Sequence, residues 1–294
     1  MSYQAYNVAR LHGRDLVFLT KYIKQKLLNR GKRNNPIVIC NSYPKSGTHL
    51  LYQILYSLPN FKKWESIVSV QALCGIMNTE NHIRWKIGSV PDGSIVRSHL
   101  MYYDEILEIL RQEQCKTFFI YRDLRDIAVS HARWVAKEKR IFLHDIYQQK
   151  PSFSEQLMSS IQGVPIGTPL GSNISQPNIA QDFSRWKGWI NDSQTLAVKF
   201  EDLVGERGGG SEEKRLTTIK KIVDHCQVNI SDEQIRNQFA SYQMNPMESH
   251  TFKKGGKGAI GGWKNQFEES HKEAFKTIAG DLLIELGYEQ DNSW

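Results

Sequence analysis

The stretch from Ile37 to Leu58 limits the possible folds most. Ile37-Val-Ile-Cys40 is a short β-branched apolar run, the pattern of a buried strand. A polar loop follows, Tyr43-Pro-Lys-Ser-Gly-Thr-His49, and then helical spacing at Leu51, Ile54 and Leu55 between Thr48 and Leu58. A strand, a tight polar loop and a helix make the unit of chain that binds phosphate. The first amides of the helix point outward unsatisfied, and its dipole favours negative charge. Gly47 lets the backbone approach an anion, Ser46 and Thr48 add hydroxyls, and Lys45 supplies a mobile cation. Helix capping by Ser-Gly-Thr is the plainer reading of the same residues. The Walker A spacing is absent, which counts against an ordinary ATPase or kinase.

The rest of the chain repeats the alternation. Residues 15–29 have helical spacing at Leu16, Leu19, Tyr22, Ile23 and Leu27. Ser94-Ile-Val-Arg97, Lys116 to Tyr121 and Thr195 to Phe200 read as strands. Tyr103 to Arg111 and Leu124 to Lys139 read as helices. This predicts an α/β fold: a central, mainly parallel sheet flanked by helices, with ligands at the carboxyl ends of the strands. Residues 160–180 are rich in glycine and proline and suit a lid or substrate wall. No repeat or linker splits the 294 residues, so one domain over 1–294 is expected: 1–35 a helical extension, 36–270 the core, 271–294 a C-terminal helix and tail.

Charge and cysteine usage narrow the function. The formal charge is +7, which suits an anionic small molecule, and no nucleic-acid reader motif accompanies it. Cys40, Cys74, Cys115 and Cys226 form no C-x-x-C pair, so no metal and no disulfide framework is expected. Cys40 and Cys115 read as buried free thiols, which fits a reducing compartment. The best N-terminal apolar run is Leu16-Val-Phe-Leu19, too short for a signal or a span. The expectation is a cytoplasmic protein with no membrane attachment, monomeric or homodimeric.

The run Tyr43-Pro-Lys-Ser-Gly-Thr48 resembles the 5′-phosphosulfate loop of the soluble sulfotransferases, which use 3′-phosphoadenosine 5′-phosphosulfate (PAPS). The resemblance continues in order from residue 36 to about 270. Tyr121-Arg-Asp-Leu-Arg-Asp-Ile-Ala-Val-Ser130 resembles the family's 3′-phosphate motif, which implies that Arg122 and Ser130 clamp that phosphate. Arg97-Ser-His99 resembles the K-T-H segment and implies that His99 is the catalytic base. Ser241-Tyr242 matches the place of an adenine-stacking aromatic, which implies that role for Tyr242. Phe252-Lys-Lys-Gly255 resembles the F-x-R-K-G segment around the 3′-phosphate, one residue short. Anchoring on Phe252 selects Lys253, Lys254 and Gly255; anchoring on Trp263-Lys264 selects Lys257 and Gly258. Phe200-Glu-Asp-Leu203 resembles the Y-E-D-L strand end and reads as structural. Two residues of the loop depart from the family, His49 for a threonine and Leu50 for a tryptophan that packs on adenine.

The resemblance implies in-line sulfuryl transfer from PAPS without a metal. Lys45 would stabilise charge on the leaving bisphosphate, Arg97 would steady the sulfuryl oxygens, and Lys45 to Leu50 would line the nucleotide. The pattern resembles the bacterial small-molecule branch, including F-E-D-L-V-G-x-x-G-G-G-S at Phe200 to Ser211. That implies a small natural-product acceptor, with polar guanidinium alkaloids of the saxitoxin type as one class. Three rivals stand beside it: an atypical nucleotide kinase or NTPase, a nucleotide-binding protein without catalysis, and a nucleic-acid module.

Overall fold

The computed structural model describes residues 13, 16–27, 35–70, 77–166, 175–240 and 260–294. A five-stranded sheet organises it: β1 (Ile37–Ser42), β2 (Lys62–Ser69), β3 (Ser94–His99), β4 (Cys115–Tyr121) and β5 (Thr195–Lys199), in the order β2-β3-β1-β4-β5. Every pairing is parallel. β1 is central and wholly buried, which is why its apolar run is unbroken. Its side chains alternate between two cores: Ile37 and Ile39 enter one, Val38 and Cys40 the other. β4 splits in the same way, Phe119 and Tyr121 against Phe118 and Ile120.

Helices cover both faces. The first, α1 (residues 16–27), buries Phe18, with its ring edge-on to His82 at 5.7 Å. Leu16, Ile23 and Leu27 are exposed, while Leu19 and Tyr22 are half-buried and Tyr22 lies against Gly88, so only part of the apolar spacing packs. α2 (Thr48–Ser57) follows β1, α3 (Glu80–Gly88) precedes β3, and α4 (Asp104–Gln112) and α5 (Leu124–Lys137) flank β4. α6 (His144–Gln148), α7 (Phe153–Gln162), α8 (Ile179–Ser184) and α9 (Gly188–Asn191) fill the run to β5. After β5 come α10 (Phe200–Leu203), α11 (Glu212–Cys226), α12 (Asp232–Ala240) and α13 (Glu269–Glu285).

Four expectations need correction. β2 was not foreseen: it opens on Lys62-Lys63, lies at an edge and loses register between Trp64 and Val68, so its apolar pattern is weak. β3 runs on to His99, because β2 keeps it paired through Ser69. Phe200 starts a helical turn instead of ending β5. Cys115 is half-buried, as the first residue of its strand, while Cys40 and Cys226 are buried free thiols. In the stretch read as a lid or wall, Val164 and Gln176 form an antiparallel bridge, and residues 167–174 lie outside the described residues. Among the described residues no helix is long and apolar enough to cross a membrane.

Candidate active site

The β1–α2 loop has the geometry of an anion cradle. Lys45 and Gly47 both take positive φ, 72° and 103°, which folds the chain tightly before α2. Gly47 is the N-cap and provides no side-chain cap; no acid occupies the first turn. By contrast α3, α4, α5, α7, α11, α12 and α13 each carry an acid there. Ser46 Oγ is fully buried with no hydrogen-bond partner among the described residues, which is costly unless a ligand supplies one. A Cβ on Gly47 would lie 2.5 Å from Phe200 Cδ2, so no other residue fits without displacement. Lys45 Nζ sits 5.2 Å from the Trp134 ring and has no carboxylate partner among the described residues. Burial pushes its pKa down to about 8. His49 is exposed on the first turn of α2, and Leu50 is buried in the core below it.

His99 closes β3 beside the end of β1. Its Nδ1 lies 3.0 Å from the Ser42 carbonyl oxygen and 3.1 Å from Ser42 Oγ. A carbonyl only accepts, so Nδ1 carries the hydrogen and Nε2 keeps its lone pair. Ser42 Oγ also lies 2.6 Å from Thr48 Oγ1, which joins His99 to the first residue of α2. Burial lowers the His99 pKa below 6.5; the Ser42 carbonyl bond opposes this, and the Lys45 and Arg97 cations add to it. Arg97 projects from β3 over the Tyr52 ring at 5.1 Å. The chain beyond β3 is pinned by Asn41, whose side chain bonds both the Leu100 amide, 2.8 Å, and carbonyl, 2.9 Å.

The motif expected to hold the 3′-phosphate lies at the end of β4. Arg122 is buried, pairs with Asp126 at 2.9 Å, and lies 4.3 Å from the Phe200 ring. Phe200 therefore packs against both the Gly47 loop and Arg122. Ser130 is half-buried two turns along α5, with no hydrogen bond to Arg122. Asp126 also accepts from the amides of Gly261, 3.0 Å, and Trp263, 2.9 Å. Tyr242, Lys253, Lys254, Gly255, Lys257 and Gly258 lie outside the described residues.

Sequence reasoning missed four of these roles. Ser42 was invisible because it stands in no motif and holds His99 through its carbonyl as well as its hydroxyl. Asp126 reaches residues more than 130 positions away. Phe200 was read only as structural, and Trp134 stood in no motif. The single signal available was that Asp126 stands within the Arg122 to Ser130 motif.

Residues 35–287 match the family model described as a sulfotransferase domain. Sulfotransferase 6B1 of Mus musculus is 25% identical over 267 residues, 84% of this chain and 77% of that protein. Flavonol 4′-sulfotransferase of Flaveria chlorifolia is 22% identical over 270 residues, 87% of this chain and 81% of that protein. Mouse sulfotransferase SULT7A1, solved in complex with PAP, superposes with a TM-score of 0.55 at 17% identity, over 86% of this chain and 85% of that chain. Retinol dehydratase, in complex with androsterone and inactive cofactor PAP, gives 0.52 at 15% identity, over 90% and 85%. The two solved structures share the fold.

Proposed function

The chain belongs to the sulfotransferase family, and we propose that it moves a sulfuryl group from PAPS to a hydroxyl or an amine or carbamate nitrogen of a small molecule. The observation that carries this reading is the pairing of a base-ready His99 with an uncapped loop. One tautomer is fixed by the Ser42 carbonyl, and one buried serine hydroxyl in the loop lacks a partner among the described residues. A 5′-phosphosulfate fits such a loop: it brings negative charge to the amides of α2 and to Lys45, and oxygens to Ser46 Oγ.

Each residue has a distinct task. Lys45, Ser46, Gly47 and Thr48 hold the 5′ end. Arg122 and Ser130 hold the 3′-phosphate, with Phe200 packed against both ends. His99 Nε2 takes the proton from the acceptor as its oxygen or nitrogen attacks sulfur in line. Lys45 stabilises the charge developing on the oxygen that leaves with the bisphosphate. Arg97 steadies the sulfuryl oxygens. A sulfuryl group carries less negative charge than a phosphoryl group, and the scheme uses no metal. The acceptor class fits tailoring of natural products, polar guanidinium alkaloids among them.

The test pairs binding with transfer. Adenosine 3′,5′-bisphosphate raises the melting temperature by mass action. Sulfur-labelled PAPS then passes its label to members of a panel of phenols, alcohols and amines. Magnesium-dependent ATP turnover without any bisphosphate shift would replace this reading with a kinase. Tight bisphosphate binding without transfer to any acceptor would leave a nucleotide-binding protein.

A further inference from the structure

A second histidine flanks the reacting side, held by a chain of hydrogen bonds that the transfer scheme does not use. His131 follows Ser130 on α5. Its Nδ1 lies 2.8 Å from Ser160 Oγ on α7. Ser160 Oγ lies 3.0 Å from the Tyr147 hydroxyl on α6, and that hydroxyl donates to Gln176 Oε1 at 3.0 Å. Tyr147 and Ser160 are buried, and Gln176 is fixed by its backbone bridge to Val164.

The protons in this chain can be counted. Burial pushes the Tyr147 pKa up to about 12, so its hydroxyl keeps its single hydrogen. That hydrogen goes to the Gln176 amide oxygen, which only accepts. Ser160 must therefore donate to the Tyr147 oxygen, and His131 Nδ1 must donate to Ser160. Nε2 is left with its lone pair, and it has no hydrogen-bond partner among the described residues. Burial, with Lys45 adding to it, lowers the His131 pKa to about 4, so the ring is neutral at physiological pH.

The position is as informative as the tautomer. The His131 ring lies 6.2 Å from the Trp134 ring, and Lys45 Nζ lies 5.2 Å from the same indole. One tryptophan thus carries the loop cation and the neutral imidazole together. His99 already fills the role of base. We propose that His131 determines acceptor specificity: Nε2 accepts a hydrogen bond from a hydroxyl or N–H of the acceptor other than the one sulfated. This rests on the reading of Lys45 and His99 as the reacting side.

Two measurements test it. Imidazole nitrogen NMR of the enzyme with bound adenosine 3′,5′-bisphosphate should show His131 neutral, with Nδ1 protonated and Nε2 bare. A protonated Nε2 overturns the proposal outright, whatever the acceptor. Hydroquinone added to that complex should shift the His131 Nε2 resonance, and 4-methoxyphenol, whose second donor is capped, should not. Equal shifts, or none, overturn it as well. Where turnover is followed, His131→Phe should remove a preference of about tenfold between two acceptors that differ by one donor. His131→Gln should restore part of it, and the dissociation constant for the bisphosphate should stay unchanged in both variants. Failure of the bisphosphate to bind at all would count against the donor site, and the tautomer of the free enzyme would still decide the His131 assignment.

Discussion

The two segments proposed to hold the donor's phosphates are built in opposite ways. At the β1–α2 loop the protein holds its groups open: among the described residues Lys45 has no carboxylate partner and Ser46 Oγ no hydrogen-bond partner, and α2 starts without a side-chain cap or an acid. At the end of β4 the charge is already committed. Arg122 is buried against Asp126 and the Phe200 ring, and Asp126 also holds the amides of Gly261 and Trp263. A buried guanidinium without a counter-charge would be costly, whereas a lysine answers the same burial with a lowered pKa, as Lys45 does. On the proposed mechanism the loop end responds to charge as it develops, and the arginine end serves as a rigid anchor. Substitutions at the first should act on turnover or on the fold of the loop; substitutions at the second should act on donor affinity.

The largest expected effect is at His99, which is bonded to the loop end through Ser42. His99→Ala should lower kcat by about a thousandfold, within the range for loss of a general base. Affinity for the bisphosphate should stay within about twofold of the parent, since no nucleotide contact is lost. Rapid quench with labelled PAPS, alongside calorimetry with the bisphosphate, separates the two quantities. Near-normal turnover would remove His99 from the mechanism.

Gly47→Ala comes next. The residue has φ 103°, and its new methyl group would lie 2.5 Å from Phe200 Cδ2, with Ile120 Cδ1 at 3.4 Å. Strain and overpacking together should destabilise the fold by about 2–3 kcal/mol. Donor affinity should fall too, because the loop amides shift. A melting curve with and without bisphosphate tells the two apart. An unchanged melting temperature would mean that the loop tolerates a side chain and is less tightly set than its contacts imply.

Arg122→Ala sharpens the anchor half of the comparison. It should raise the dissociation constant of the bisphosphate by roughly tenfold, the cost of one charged contact. Adenosine 5′-phosphate, which lacks the 3′ group, should bind the variant and the parent equally. Asp126→Asn separates anchor from scaffold, because it keeps Arg122 but weakens its hold and that of the 261–263 segment.

These contrasts bear on what the chain discloses before it is folded. β1, β3 and β4 were legible because central parallel strands are apolar on both faces, and β5, at the edge opposite β2, because its run Leu196-Ala-Val198 is apolar. β2 was not, since an edge strand that opens on two lysines resembles a loop. Lys45, His99 and Arg122 could be picked out because short motifs carry them. Ser42, Phe200 and His131 could not. Their roles arise from a backbone carbonyl, from one ring packed against two distant segments, and from a hydrogen-bond chain across α5, α6 and α7. No local pattern encodes such contacts. The apolar spacing of α1 was a partial guide: Leu19 and Tyr22 are half-buried, Leu16, Ile23 and Leu27 are exposed, and Phe18, outside the spacing, is the residue that is buried.

The smallest effect is on pH, and it separates the roles of Lys45 and His99. His99 is neutral once pH exceeds its lowered pKa, so the acid limb of kcat/KM for the acceptor should inflect below 6.5. Lys45, pushed down to about 8, loses its proton above that value in the free enzyme. Donor capture should therefore be about halved at pH 8 and fall about tenfold per unit beyond it. Lys45→Arg, which stays charged, should remove that alkaline limb while lowering kcat, because a planar guanidinium does not place its charge where the ammonium did. An alkaline limb that survives in Lys45→Arg would assign the titration to another group and leave Lys45 as a fixed charge.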